Sequence, residues 1–307
     1  MDMSALLVKM TIFVVLMVIG YLCARMGATG PDFTKGASKL VINVFMTATI
    51  LNSVMTGGLS LSGKELAITM LVLTISIAMG YVVGAIACRV MRFDRDHEPL
   101  FELQIAVVNN MFIALPVVEQ LFGAQAVFYC SLSCLPYNVL LYTYGTGRLK
   151  SSGGGSFRIK DVFSIPLIAT LCALVIFLVQ PPIPGVVKEL ASTMAGATMP
   201  LSMIVIGSSL GSVSLLDSFK DGKMYIMSAL RLPLVPLLVW LVAGLFTDDF
   251  MLLTTATIIA ASPSAVVITV LTIQYDRDYI FTSQGILLST VLSMLTIPVI
   301  VYLIHLV

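Results

Sequence analysis

Polar residues accompany a proline at two places inside otherwise apolar segments of this sequence. They are Asn109, Asn110 and Pro116 in the first segment, and Ser262, Pro263 and Ser264 in the second. Proline lacks an amide hydrogen and crowds the carbonyl group four residues earlier, so each proline is expected to interrupt a helix. An interrupted helix presents free backbone N–H groups and the positive end of a helix dipole. These donors predict a site for an anionic group such as a carboxylate.

The two interruptions are expected to free the carbonyls of Phe112 and Ile259. A proline kink that serves only packing is the alternative at either place. Two kinks at matching positions in the two halves of the chain, each beside polar residues, favour a binding site. Asn110 is the principal candidate ligand, because on a helix Asn109 would point roughly 100° away from it.

Composition identifies the kind of molecule that must position these residues. Hydrophobic residues make up 58% of the 307 residues and charged residues 11%, against about 25% charged in soluble domains. A chain of this composition lacks the polar surface that a soluble protein needs. The net charge of +1 without a basic block excludes nucleic-acid binding. The five cysteines show no metal-binding spacing and no nucleotide motif is present, so no metal, cofactor or disulfide framework is predicted.

The apolar segments predict an all-α membrane protein with ten transmembrane helices, since a span needs roughly 20 apolar residues. The predicted spans are 5–26, 37–55, 65–88, 100–121, 124–145, 161–180, 186–210, 224–246, 251–273 and 281–305. The predicted helix breaks fall in spans four and nine.

Basic residues are distributed unevenly between the two sides of these spans. The odd-numbered connections and their flanks hold 13 of the 17 Lys and Arg residues. The positive-inside rule therefore places these connections in the cytoplasm. Both termini of a multi-pass protein of the cell membrane would then lie outside the cytoplasm.

This orientation predicts the labelling of the connection between spans five and six. A cysteine introduced by Ser152→Cys should resist an impermeant thiol reagent in intact cells and react after permeabilisation, because the connection faces the cytoplasm. Ready labelling in intact cells would reverse the predicted topology.

A Gly-Ser stretch near the middle of the chain predicts a cytoplasmic linker at residues 148–160. It separates a first repeat, residues 1–147, from a second repeat, residues 161–307. Each half contains five predicted spans, so the second half enters the membrane with the opposite polarity. Two inverted five-helix repeats are a common plan of secondary transporters.

Several motifs together resemble the auxin efflux carrier family of permeases. They are Asn110-Met111-Phe112-Ile113-Ala114-Leu115-Pro116, Leu135-Pro136-Tyr137-Asn138, Thr143-Tyr144-Gly145, Ala261-Ser262-Pro263-Ser264-Ala265 and Ser289-Thr290-Val291-Leu292-Ser293. The resemblance implies that helices four and nine cross at their breaks, as in bile-acid sodium symporters. It also implies elevator-like alternating access and an organic anion as substrate, such as auxin or a small dicarboxylate. By resemblance, Asn138 approaches the pocket, and a homodimer is compatible with the family.

Other polar residues within the spans have two interpretations each. Thr49 could line the pocket wall or serve packing, and Glu102 and Gln104 are expected to face lipid headgroups. Arg231 is expected to extend to the cytoplasmic interface or, alternatively, to counter an anion in transit. The spacing of Gly80 with Gly84, and of Gly207 with Gly211, predicts close helix packing.

The sequence therefore favours a carrier of a small organic anion embedded in the lipid bilayer. A membrane sensor that retains the carrier fold is the alternative. An intramembrane enzyme is not predicted, because neither histidine is placed to form a catalytic pair. No dedicated sodium site is expected, since no carboxylate lies between Asn109 and Pro116 or between Ala261 and Val267.

Overall fold

The computed structural model describes residues 3–56, 61–150, 164–211 and 221–304. Regular structure in these ranges is helical, apart from one isolated β-bridge. The α-helices are α1 (Met3–Arg25), α2 (Pro31–Leu40), α3 (Met46–Thr56), α4 (Gly63–Met91), α5 (Glu98–Ala106), α6 (Leu115–Phe122), α7 (Ala124–Leu132), α8 (Cys134–Leu140), α9 (Thr146–Leu149), α10 (Ile165–Val179), α11 (Gly185–Gly211), α12 (Gly222–Ala229), α13 (Val235–Ala243), α14 (Phe250–Ala261), α15 (Val267–Gln274) and α16 (Tyr279–Ile304). Short π-helical segments occupy Val41–Phe45, Asn110–Ala114, Leu141–Gly145 and Leu230–Leu234.

The prediction of an all-α membrane protein is confirmed. Six continuous helical stretches in the described residues are long and apolar enough to cross a membrane: Asp32–Thr56, Gly63–Met91, Ala124–Leu149, Gly185–Gly211, Gly222–Ala243 and Tyr279–Ile304. Shorter apolar helices overlap the other four predicted spans. The number of ten spans and the inverted repeat stay predictions. The predicted linker lies outside the described residues from position 151 onward.

Two compact units divide the chain, and each combines segments from both sequence halves. The first unit consists of Met1–Glu65, Met111–Cys134 and Ser164–Ser214, and the second of Leu66–Asn110, Leu135–Phe163 and Leu215–Val307. The predicted domain boundary at residues 148–160 concerns sequence repeats, whereas these units are defined by contacts. The repeat boundary therefore stays a prediction.

The first unit is built around the close approach of α1 and α11. A Cβ atom placed on Gly207 would overlap the carbonyl oxygen of Met17, and one on Gly20 would overlap the carbonyl oxygen of Ile204. The absence of side chains at both glycines lets the two backbones touch. The packing role predicted for Gly207 is confirmed.

In the second unit, two connections that were predicted to lie on one side of the membrane contact each other. Arg277, between α15 and α16, pairs with Asp96 at 3.0 Å and donates from Nε to the carbonyl of Leu149 at 3.2 Å. His97 lies between Asp94, at 2.9 Å, and Asp278, at 3.5 Å. Hydrogen bonds from the backbone N–H and ring of His97 lower the pKa of Asp94. The connections after α4 and α15 therefore meet at the same end of this unit.

Candidate functional site

The first predicted helix break lies earlier in the chain than expected. Helix α5 ends at Ala106, and Val107 is extended, with φ −91° and ψ 109°. The helical path resumes with a π-helical segment at Asn110. Pro116 lies in the first turn of α6, and Ala114 before it has helical angles. The prediction that Pro116 makes the break is therefore wrong, because a wide π turn before a proline can accommodate its ring.

The second break lies where Pro263 predicts it. Helix α14 ends at Ala261, Ser262 is extended with φ −69° and ψ 148°, and α15 begins at Val267. The carbonyl of Ile259 was expected to lack a donor, but it accepts a hydrogen bond from the Ser262 N–H at 3.2 Å. That detail of the prediction is wrong, because the last helical turn tightens and supplies the donor.

The two breaks pair with each other through their backbones. Val108 and Ser264 form an antiparallel β-bridge. The N–H of Asn109 donates to the carbonyl of Pro263 at 2.8 Å, and the N–H of Ala265 donates to the carbonyl of Val107 at 3.0 Å. Non-helical backbone within a membrane needs such partners, since lipid supplies none. We call these paired segments, residues 107–110 and 262–266, the crossing.

Both serines of the crossing are fully buried and use their hydroxyls within the protein. The Ser262 hydroxyl donates to the carbonyl of Ile258 at 3.0 Å, and the Ser264 hydroxyl donates to the carbonyl of Gln104 at 2.5 Å. The Ser264 N–H donates to the hydroxyl of Ser289 at 3.3 Å. In this structure the two hydroxyls thus hold the crossing in place. Their predicted role as substrate ligands stays a prediction.

Three asparagines predicted for the site belong to the same unit as the crossing. Asn109 is 9% exposed, Asn110 is 3% exposed and Asn138, on α8, is 5% exposed. All three make further interactions within the protein. Asn109 lies on the extended segment, so the predicted helical separation of 100° from Asn110 is wrong. Both asparagines lie at the break itself.

The remaining predicted site residues belong to the first unit. Thr49 is buried on α3, where its hydroxyl is 2.7 Å from the hydroxyl of Thr198 on α11. This contact fits the packing interpretation. Pro116 is also buried, at the start of α6. Neither residue is part of the backbone pairing at the crossing.

Arg231 contacts the crossing, although the sequence predicted a different position for its side chain. Its side chain is fully buried and donates from Nη2 to the carbonyl of Ser262 at 2.7 Å. The expectation that it extends to the interface is wrong. An arginine two turns inside a span was the available signal, but hydropathy does not show which way its side chain points.

A second buried charge lies on α5, eight residues before Asn110. Glu102 is fully buried and accepts hydrogen bonds from Arg148 Nε at 2.7 Å and from the Tyr144 hydroxyl at 2.6 Å. Arg148 also pairs with Glu98, which is about a third exposed, at 2.6 Å. The expectation that Glu102 and Gln104 face headgroups is wrong, since both are fully buried.

Comparison with known proteins identifies relatives over nearly the whole chain. The family model described as membrane transport protein matches residues 5–156 and again residues 154–301. An uncharacterised transporter of Methanothermobacter thermautotrophicus is 28% identical over 295 residues, which cover 92% of this chain and 93% of the relative. An uncharacterised transporter of Methanocaldococcus jannaschii is 24% identical over 302 residues, which cover 93% of this chain and 94% of the relative.

Proposed function

The chain belongs to the membrane transport protein family, that of the auxin efflux carriers, and we propose that it moves a small organic anion across the cell membrane. The observation on which this proposal rests is the crossing. Two helical paths are interrupted there, and backbone hydrogen bonds join the two interrupted segments among buried polar side chains. Interrupted helices of this kind form the substrate sites of many secondary transporters.

A carboxylate is the anionic group that best suits the crossing. A carboxylate that leaves water loses strong hydrogen bonds, and only preorganised donors offset that cost. The asparagine amides and the fully buried Arg231 supply such donors beside the crossing. The guanidinium of Arg231 adds a positive charge to the uncharged donors that the sequence predicted at the two breaks.

The proposed mode of movement is elevator-like alternating access. The division into two compact units supports it, because one unit contains the whole crossing while the other contains α1, α3 and α11. The double match to the family model supports two repeats, since the matched segments meet at residues 154–156, inside the Gly-Ser stretch. No nucleotide-binding motif is present, so we propose that ion or substrate gradients drive transport.

Asn110 is the proposed amide donor to the carboxylate. Asn110→Ala should weaken carboxylate binding by about 1–3 kcal/mol, the range for leaving a buried hydrogen-bond partner unsatisfied. Asn109→Ala should matter less, since the backbone of Asn109 already engages Pro263 and its substitution keeps that bond. Isothermal titration of purified protein with a panel of mono- and dicarboxylates measures both effects.

Asn43→Ala provides the matched control for Asn110→Ala. Asn43 is exposed in the π-helical segment Val41–Phe45 of the other unit, so its replacement should leave binding unchanged. If well-folded Asn110→Ala protein bound carboxylates as tightly as the wild type, Asn110 would not be a ligand. If no carboxylate bound to the wild type, the proposed function itself would be wrong.

A further inference from the structure

Arg231 has donors for which the described part of the protein provides no partner. Its guanidinium is buried in the π-helical segment Leu230–Leu234, and only Nη2 reaches an acceptor, the carbonyl of Ser262. Nε and Nη1 are shielded from solvent and make no hydrogen bond. Among the described residues, no carboxylate lies within 4.0 Å of this side chain. Within the part of the chain that the structure describes, the positive charge of Arg231 therefore has no paired negative charge.

An unpaired buried guanidinium is costly, because the group stays protonated in proteins and its donors lose water without replacement. The second buried charge of this unit shows the contrast: Glu102 is paired with Arg148 and also bonded to Tyr144. The acceptor that Arg231 has among the described residues, the carbonyl of Ser262, belongs to the crossing. Among the described residues, none supplies an anion to Arg231 beside the crossing.

We propose that Arg231 is the fixed counter-charge of the transported anion, and that one ionised carboxylate completes its hydrogen bonds. This inference rests on the proposed function. The substrate class that it adds is a monocarboxylate. A second negative charge on the substrate would again leave the site with a net charge. The inference also adds a mode of transport. A loaded site is neutral whereas an empty one is positive, so exchange of anions is favoured over return of the empty carrier.

A structural alternative makes the opposite prediction for the unliganded protein. If Arg231 served only to cap the carbonyl of Ser262, its removal would destabilise the empty protein. If it awaits an anion, Arg231→Met removes an unpaired buried charge, and apolar replacement of buried charges is often neutral or stabilising. The empty Arg231→Met protein should then unfold at the same temperature as the wild type or at a higher one.

The test compares thermal unfolding of detergent-purified wild type, Arg231→Met, Arg231→Lys and Ser228→Ala. Each is measured in sodium chloride and with acetate, benzoate, indole-3-acetate or malonate at matched sodium concentration. Ser228→Ala is the control, since it removes a buried hydroxyl from the preceding helix without changing charge. Stabilisation by a monocarboxylate should be equally strong in the wild type and in Ser228→Ala, and much weaker in Arg231→Met. It should be retained in part by Arg231→Lys.

Carboxylate affinity should fall by roughly 10- to 150-fold in Arg231→Met, the loss expected for a hydrogen bond to a charged group. In proteoliposomes, external carboxylate should accelerate the efflux of internal carboxylate through the wild type, because exchange is favoured. This acceleration should be lost in Arg231→Met. A lower unfolding temperature of empty Arg231→Met protein, or equal carboxylate affinity in this variant and the wild type, would overturn the inference and leave the proposed function standing. Failure of every carboxylate to bind or move in the wild type would instead overturn the proposed function.

Discussion

Arg148→Ala is expected to lower the free energy of unfolding by about 3–5 kcal/mol, the cost of breaking a buried ion pair. The substitution leaves the Glu102 carboxylate fully buried. Of the two hydrogen-bond donors described above, Arg148 and Tyr144, only the Tyr144 hydroxyl remains. One neutral donor does not replace a guanidinium Nε at 2.7 Å. Urea unfolding of the purified protein in mixed micelles, followed by far-ultraviolet circular dichroism, measures the loss.

Two further variants separate the buried pair from its exposed neighbour. Glu98→Gln should cost less than about 1 kcal/mol, because Glu98 and Arg148 are each about a third exposed. Glu102→Leu combined with Arg148→Leu should recover most of the stability lost in Arg148→Ala, since paired apolar replacement leaves no buried charge. Equal losses for Arg148→Ala and Glu98→Gln would show that Glu102 is not the group that matters.

Gly207→Ala is expected to destabilise the first unit, although alanine normally favours a helix. The added Cβ would meet the backbone carbonyl of Met17, which has no rotamer with which to move aside. Overpacking a tight contact costs about 1–3 kcal/mol, and a backbone obstacle places this variant at the upper end of that range.

Gly196→Ala on the same helix is the matched control. No heavy atom outside its own helical turns lies within 4 Å of a Cβ built at Gly196. Alanine should therefore stabilise the helix there by about 0.5–1 kcal/mol. The two Gly-to-Ala changes should shift the unfolding midpoint in opposite directions. Shifts of the same sign would refute the close contact between α1 and α11.

The sequence predicted the membrane class and the two interrupted segments because these depend on local properties. Long apolar runs indicate spans, and Pro263 marks the second break at its true position. The prediction from Pro116 placed the first break too late in the chain, because the π-helical segment Asn110–Ala114 accommodates the proline. The local signal for the true break is the run Val107-Val108-Asn109. β-branched residues favour extended backbone there, and asparagine competes with helical hydrogen bonds.

The polar network could not be derived from the sequence, because it joins residues that are far apart in the chain. Glu102 and Arg148 are separated by 46 positions, and Arg231 and Ser262 by 31. The number of charges in a span does not show whether a side chain faces lipid headgroups or the protein interior. Burial is decided by tertiary packing, and it overturned the expectations for both Glu102 and Arg231.

Carboxylate counterflow in proteoliposomes tests most directly whether the crossing is an anion site. Vesicles loaded with an unlabelled carboxylate should accumulate the same labelled compound when they contain the wild type or Asn43→Ala. Accumulation should fall by roughly tenfold in Asn110→Ala, which corresponds to a loss of about 1.4 kcal/mol. Counterflow at the rate of the wild type by both Asn110→Ala and Asn109→Ala, with equal amounts of folded protein, would contradict the assignment of the site to the crossing.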